Sequence, residues 1–242
     1  MILILTGCDR SGKTTLANKL INELERCADT YDKKIEYKHF SNPKTLEEAK
    51  QEYFNFINST NNDTIYVLDR FYECEDIYAP IYRNYSLTYQ DKIESLLNMK
   101  DTMFVYVQTS LETIKERIKQ VGEDFVNEND LEKVINNYNQ FFAKTKIPYM
   151  TVSGEYDINN KDETNQIIFS IIHYLFKVQE LNEYYNEYKL NRSYGKINSN
   201  TIFINMTNDS INTDQWISNN DTYKFDMKSL NVNELIYHVK KG

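Results

Sequence analysis

Five short strand-like stretches divide this chain, and each is followed by a stretch that reads as a helix. The first, Met1-Ile2-Leu3-Ile4-Leu5, is unbroken, the pattern of a strand buried on both faces. From Thr15 to Leu24 the residues Leu16, Leu20, Ile21 and Leu24 share one side of a helix. Ile35 to Phe40 predicts a second strand, with a turn at Ser41-Asn42-Pro43. Pro43 and the acidic pair Glu47-Glu48 then open a helix running to about Ser59. Ile65 to Leu68 is a third strand ending at Asp69-Arg70, before helices from Tyr72 to Tyr82 and Thr88 to Met99. Met103 to Val107 is the fourth, after which Ser110 caps a helix carrying Leu111, Ile114 and Ile118. Glu128 to Ala143 is another helix and Pro148 to Val152 the last strand of the main sheet. Asp162 caps a long helix carrying Ile167, Ile168, Ile171, Ile172, Leu175 and Phe176.

Strands joined by helical crossovers predict an α/β fold: a mostly parallel five-stranded sheet covered on both faces. Ligands of such sheets gather at the carboxyl ends of the strands. That rule brings residues 7–14, Phe40 to Pro43, Asp69-Arg70 and the loop after Val107 to one rim. From about Asn182 the pattern turns polar, with a strand-like run only at Thr201 to Met206 and a closing helix at Leu230 to Val239. Residues 1–181 are therefore read as one domain. Residues 182–242 are read as an extension packed on the core or at an oligomer interface.

The composition narrows the partners. A net charge of −8 and a pI near 5.1 argue against a broad basic surface for nucleic acid. Cys8, Cys27 and Cys74 lack metal-ligand spacing and cannot all pair, as expected of reduced thiols in the cytoplasm. The charged start MILILTGCDR does not suit a signal peptide, and no apolar run is long enough to span a bilayer. The 20 tyrosines read as compositional drift.

The chemistry is concentrated where the first strand meets the first helix. Gly7-Cys8-Asp9-Arg10-Ser11-Gly12-Lys13-Thr14 is a full Walker A match in the required strand–loop–helix context. Its backbone N–H groups can cradle a polyphosphate at the helix start. Lys13 would reach the β- and γ-phosphates of ATP, and Thr14 would offer its hydroxyl to Mg²⁺. Asp69 can accept a proton from, or orient, an attacking oxygen, and can order Mg²⁺ through water. Arg70 presents a guanidinium fork suited to a phosphate acceptor. Arg10, inside the loop, can lie against the phosphoryl group as charge builds on its equatorial oxygens. Asp9 would repel that anion unless its carboxylate points toward hydroxyls of a second substrate. No N-K-x-D motif follows the later strands to mark a GTPase.

Residues 1 to about 176 resemble the thymidylate kinase family, within the nucleoside-monophosphate kinases. The carriers are the loop Gly7 to Thr15 with its internal Asp9-Arg10, the triplet Asp69-Arg70-Phe71, and Tyr78 nine residues after Asp69. The resemblance implies a P-loop kinase three-layer fold and transfer of the ATP γ-phosphate to a deoxynucleoside 5′-monophosphate, dTMP or a related pyrimidine. By motif, Asp9 would hold the 3′-hydroxyl region, Arg70 the 5′-phosphate, and Tyr78 would crowd the sugar 2′ position. Arg10 would be the transfer arginine. Phe40 stands where an aromatic could stack on the base, although the usual arginine nearby is missing.

A lid is expected around residues 117–128, with Gly122 as hinge and Arg117 as a phosphate contact. Val121 occupies the site where an arginine commonly precedes Gly-Glu-Asp. The run Glu75 to Arg83 is similar to divergent phage proteins of this family, which implies a host-cytoplasmic setting and makes Arg83 a second acceptor ligand. Relatives pair as homodimers, so the same is expected here. A deoxynucleoside kinase and a nucleotide-binding regulatory protein without useful turnover are the alternatives.

Overall fold

Strand β1 (Ile2–Thr6) lies between β3 (Thr64–Asp69) and β4 (Thr102–Gln108), with β2 (Lys34–His39) and β5 (Tyr149–Ser153) outside them. Every neighbouring pair is parallel, giving the order β2-β3-β1-β4-β5. The computed structural model describes residues 1–26, 32–40, 43–122, 126–157 and 159–191, the stretch 177–191 as backbone.

The unbroken apolar run of β1 is explained by a core on each face. Ile2 and Ile4 join Tyr66, Leu68, Phe104 and Tyr106 on one face, while Leu3 and Leu5 join Val67, Val105 and Val152 on the other. The first face is covered by α2 (Leu46–Ser59), α3 (Glu73–Tyr82), α4 (Gln90–Leu97), α5 (Leu111–Val121) and α6 (Leu131–Lys144). The second is covered by α1 (Lys13–Arg26) and α7 (Lys161–Asn191). Each fully buried Leu or Ile contributes roughly 1.5–3 kcal/mol. Tyrosines build much of the first face: Tyr53, Tyr72 and Tyr138 are fully buried, and Tyr72 donates to the buried Glu94 at 2.9 Å.

Up to residue 191 the predicted elements are present, with four differences at their ends. The second helix starts at Leu46, three residues after Pro43, because Thr45 accepts the Glu48 N–H at 3.1 Å and so supplies the cap. A 3₁₀ turn, Glu128–Asp130, precedes α6. Asn160 rather than Asp162 caps α7, its side-chain oxygen accepting from Glu163 N at 3.3 Å; Asp162 lies in the first turn, where a carboxylate suits the helix dipole. Finally, α7 runs unbroken past residues 181 and 182 to Asn191, with no Gly or Pro to stop it. The strand and helix expected at 201–206 and 230–239 lie outside the described residues. Among the described residues no helix is long and apolar enough to cross a membrane.

The register positions the site. Leu5 of β1 pairs with Asp69 of β3, and the Arg70 N–H donates to the Leu5 carbonyl at 3.0 Å. Asp69-Arg70 therefore stands beside the start of the glycine loop, while His39 of β2 pairs with Asp69 from the other side.

Candidate functional site

The loop from Gly7 to Gly12 leaves β1 and enters α1 at Lys13. Its geometry needs glycine at two places. A Cβ on Gly7 would stand 2.6 Å from the Val107 carbonyl oxygen, and Gly12 has a φ of +94°, a region costly for any other side chain. Arg10 and Arg70 also adopt positive φ, 63° and 69°, so both arginines leave strained backbone at the site itself.

Two carboxylates divide the functional groups between them. Asp9, buried, accepts from Arg70 Nη2 at 2.7 Å on Oδ1, and Lys13 Nζ lies 3.8 Å from the same oxygen. Its other oxygen, Oδ2, is buried and has no hydrogen-bond partner among the described residues. Asp69, with no exposed surface, accepts on Oδ2 from Thr14 Oγ1 at 2.9 Å and Tyr37 Oη at 3.3 Å, with His39 Nδ1 3.4 Å away. Its Oδ1 is likewise buried and unpartnered among the described residues. Oxygens left unpaired in a buried site are costly unless a ligand completes them.

Lys13 is buried and donates to the Cys8 carbonyl at 3.4 Å, so its ammonium bends over the loop. Burial, then the Asp9 charge, pushes the Cys8 thiol up to about 12; it stays protonated and fills space. Cys8 and Cys74 are free and buried among the described residues, and Cys27 lies outside them.

The glycine loop opens on a cavity of about 410 Å³. Gly12, Lys13, Thr14 and Thr15 form one wall, and the side chains of Arg10, Arg70 and Arg117 converge on it. Val121, Gly154 and Tyr156 complete the lining. Arg10 Nη2 donates to the Gly122 carbonyl at 3.2 Å, while its Nε is buried without a partner among the described residues. Three arginines and a lysine around a helix N-terminus make an anion site. Thr14 Oγ1 and the free Asp69 Oδ1 add hard oxygen donors of the kind Mg²⁺ takes alongside phosphate oxygens. Among the described residues no cluster of three His, Cys, Asp or Glu could hold a metal by itself.

The structure thus brings Gly7, Asp9, Arg10, Ser11, Gly12, Lys13, Thr14, Thr15, Asp69, Arg70 and Arg117 to one rim. It places three acceptor residues differently from the sequence expectation. Phe40 is 2 % exposed and packs against Phe71, Phe56 and Tyr53, ring centroids 4.8, 5.4 and 5.6 Å away, with the Lys38 ammonium 4.4 Å from its own centroid. Its ring presents no open face for stacking. Tyr78 is buried too, its hydroxyl 3.3 Å from that of Tyr138, which donates to the Gly7 carbonyl at 2.8 Å. It stands behind the loop. Arg83 donates to Glu75 at 3.0 Å and to the Pro43 carbonyl at 3.4 Å, so its charge is neutralised within the protein.

Arg117, expected on a phosphate, lines the cavity with its guanidinium donating to the Arg10 and Gly154 carbonyls, at 2.9 and 2.7 Å. Of the lid, Gly122 ends α5 with a φ of +91°, and residues 123–125 lie outside the described part.

Sequence reasoning missed Tyr37, His39, Thr109, Tyr138, Gly154 and Tyr156. His39, Thr109, Gly154 and Tyr156 lie at or just past the carboxyl end of a strand and Tyr37 two residues before one, which is the signal that could have found them. Tyr138 carried no such signal, because it falls on the apolar stripe of α6 with Val134 and Phe141.

A parallel sheet in this order with a glycine-loop cradle defines the P-loop NTPase and kinase superfamily fold, in its nucleoside-monophosphate-kinase-like form. Within that superfamily, a family model described as an AAA domain matches residues 1–121, half of the chain, and the chain belongs to that family. A comparison with curated proteins finds no match. Among solved structures, the YorR protein from Bacillus subtilis, in complex with phosphorylated GDP, is similar at 22% identity and a TM-score of 0.55, over 74% of this chain and 98% of that one. Polyphosphate Kinase 2 from Arthrobacter aurescens is similar at 17% identity and a TM-score of 0.51, over 74% and 68%. A deoxyadenosine kinase from M. mycoides with bound dATP gives 18%, 0.47, and coverage of 72% and 100%.

Proposed function

We propose that the chain transfers the γ-phosphoryl group of ATP to a deoxynucleoside 5′-monophosphate, dTMP or a related pyrimidine nucleotide, giving the diphosphate. The observation that carries this reading is the Asp9–Arg70 pair, closed at 2.7 Å, on the same cavity rim as Lys13 and Arg10. A guanidinium held by a carboxylate beside a polyphosphate cradle suits a second, phosphate-bearing substrate. The order Asp69-Arg70-Phe71 and the Asp9-Arg10 pair inside the loop support a thymidylate kinase-like protein, and the run Glu75 to Arg83 supports a divergent one of phage type. A cytoplasmic setting and a homodimer belong to the same proposal.

In this reading the donor phosphates lie on the N–H groups of the glycine loop, against Lys13. The acceptor phosphate takes the outer face of Arg70, and the unpaired Oδ2 of Asp9 accepts from the sugar 3′-hydroxyl. An oxygen of the acceptor phosphate attacks Pγ, the bond from Pγ to the β–γ bridging oxygen breaks, and ADP leaves. A phosphate monoester loses its second proton near pH 6, so the nucleophile is already anionic at pH 7 and needs no general base. That frees Asp69 for another task. With Thr14 it would hold Mg²⁺, which supplies charge neutralisation at the phosphates when bound. Arg10 turns from Gly122 toward the transferring group as negative charge spreads over its oxygens. Arg117 steadies the loop from the cavity wall, through its bond to the Arg10 carbonyl.

The test is a panel of deoxynucleoside monophosphates and deoxynucleosides incubated with Mg·ATP, followed by chromatography of the products. A diphosphate from one or more monophosphates is expected. A monophosphate formed from deoxynucleosides, with weak competition by dTMP, would assign a deoxynucleoside kinase instead. A second reading, nucleotide binding without transfer, is favoured by the engagement of Phe40 and Arg83 inside the protein. It predicts ATP binding with no phosphorylated product.

A further inference from the structure

The glycine loop is gripped from outside as well as lined from within. Thr109, the first residue past β4, is buried and donates its hydroxyl to the Ser11 carbonyl at 3.2 Å. Gly154, just past β5, lies against this contact. A Cβ there would collide with Thr109 Oγ1 and stand 2.5 Å from the Ser11 carbonyl oxygen. Glycine at 154 is thus what leaves room for the Thr109–Ser11 bond. Gly154 is itself fixed, its N–H donating to the Gln108 carbonyl at 2.7 Å and its own carbonyl accepting from Arg117.

Resting on the reading of this loop as the donor cradle, we infer that Thr109 is a positioning residue that aims the Gly12 N–H into the cavity. The Ser11 carbonyl and the Gly12 N–H belong to one planar trans peptide and point in opposite directions. Holding the carbonyl outward therefore turns the N–H inward, toward the space that Gly12 lines. This peptide is the one most in need of a restraint. Gly12 sits at a φ of +94° and has no side chain to resist rotation, so nothing local stops the unit from turning over and presenting its carbonyl to the phosphates. A carbonyl facing an anion would repel it. Thr109 is placed to prevent that and touches no substrate itself; the neighbouring Ser110, not Thr109, caps α5.

The experiment compares Thr109→Val, which keeps the shape and removes the donor, with Thr109→Ser, which keeps the donor. Mg·ADP binding is followed by calorimetric titration, and the melting temperature is taken without ligand. Losing one orienting hydrogen bond should weaken ADP binding roughly threefold to tenfold in the valine variant, with the serine variant within about twofold of the parent. KM for ATP should rise in step while KM for the acceptor stays put. A valine variant that melts lower but binds Mg·ADP like the parent would reduce Thr109 to a packing residue and overturn the inference. Failure of the unaltered protein to bind Mg·ADP is a separate result; it would remove the donor cradle itself, and this inference with it.

Discussion

Replacing Arg10 with alanine separates a contact made at rest from one made in the reaction. Among the described residues the side chain makes a single hydrogen bond, 3.2 Å to the exposed Gly122 carbonyl, in a half-buried position. Such a bond contributes about 0.5–1 kcal/mol to stability. Alanine inherits the same left-handed backbone, φ 63°, and so neither relieves nor adds strain there. The folded state should therefore lose no more than about 1 kcal/mol, a shift of roughly 2–4 °C in melting temperature for a chain of this size. In the transition state the guanidinium faces developing charge inside a cavity, where removing one such donor costs about 2.7–4 kcal/mol, or ~10²–10³ in rate. The assay is steady-state kinetics with ATP and the best acceptor, alongside a melting curve and a Mg·ADP titration. The expected result is kcat down by ~10²–10³ with KM for ATP and Kd for ADP within about threefold. Arg10→Lys should recover only part of the loss, because it restores the charge and not the fork. A variant with undiminished kcat, or one whose loss lies wholly in KM, would remove Arg10 from the transfer step.

Three further outcomes can be checked. Arg70→Lys should raise KM for the acceptor by ~10-fold or more while leaving KM for ATP near its starting value, since the 2.7 Å pairing with Asp9 and the fork toward the acceptor are both weakened. Gly154→Ala should destabilise the protein by about 1–3 kcal/mol, as a methyl group is forced onto Thr109 and the Ser11 carbonyl; chemical denaturation and ADP titration on the same sample would read both effects. Glu73, fully buried, has its carboxyl pushed up to about 7 by burial. A raised folded-state pKa favours the protonated form, so its contribution is present below the unfolded value near 4.5 and is lost as pH rises through about 7. Glu73→Gln should remove this loss, and its stability relative to the parent should climb between pH 5 and pH 8; a difference independent of pH would count against it.

The fold was legible because its three central strands, β1, β3 and β4, are buried on both faces and so carry mostly apolar runs. Ile2 to Leu5 could be nothing but a central strand, and the glycine loop after it could only face the sheet's carboxyl rim. Arg10, Lys13, Thr14, Asp69 and Arg70 followed from that, since local spacing and the rim rule together fix their place. What escaped was long-range. Whether Phe40 faces a pocket or a core depends on Tyr53, Phe56 and Phe71, which approach from two other segments. Whether Arg83 is available depends on Glu75 and on the backbone at Pro43. Nor does an arginine at 117 disclose in sequence that its partners are carbonyls of Arg10 and Gly154. Side chains whose role is to hold backbone leave no motif, because any donor of the right reach will serve.

In the proposed reaction the glycine-loop cradle and the Asp9–Arg70 pair bind two phosphate chains across one cavity and pass a phosphoryl group between them. A single-turnover reaction tests it most directly, with protein in excess over ATP labelled on the γ-phosphate, Mg²⁺ present, and dTMP supplied. Label should be recovered in the nucleoside diphosphate, with little released as inorganic phosphate. Label appearing only as inorganic phosphate, or remaining in ATP, across all the deoxynucleoside monophosphates would contradict it.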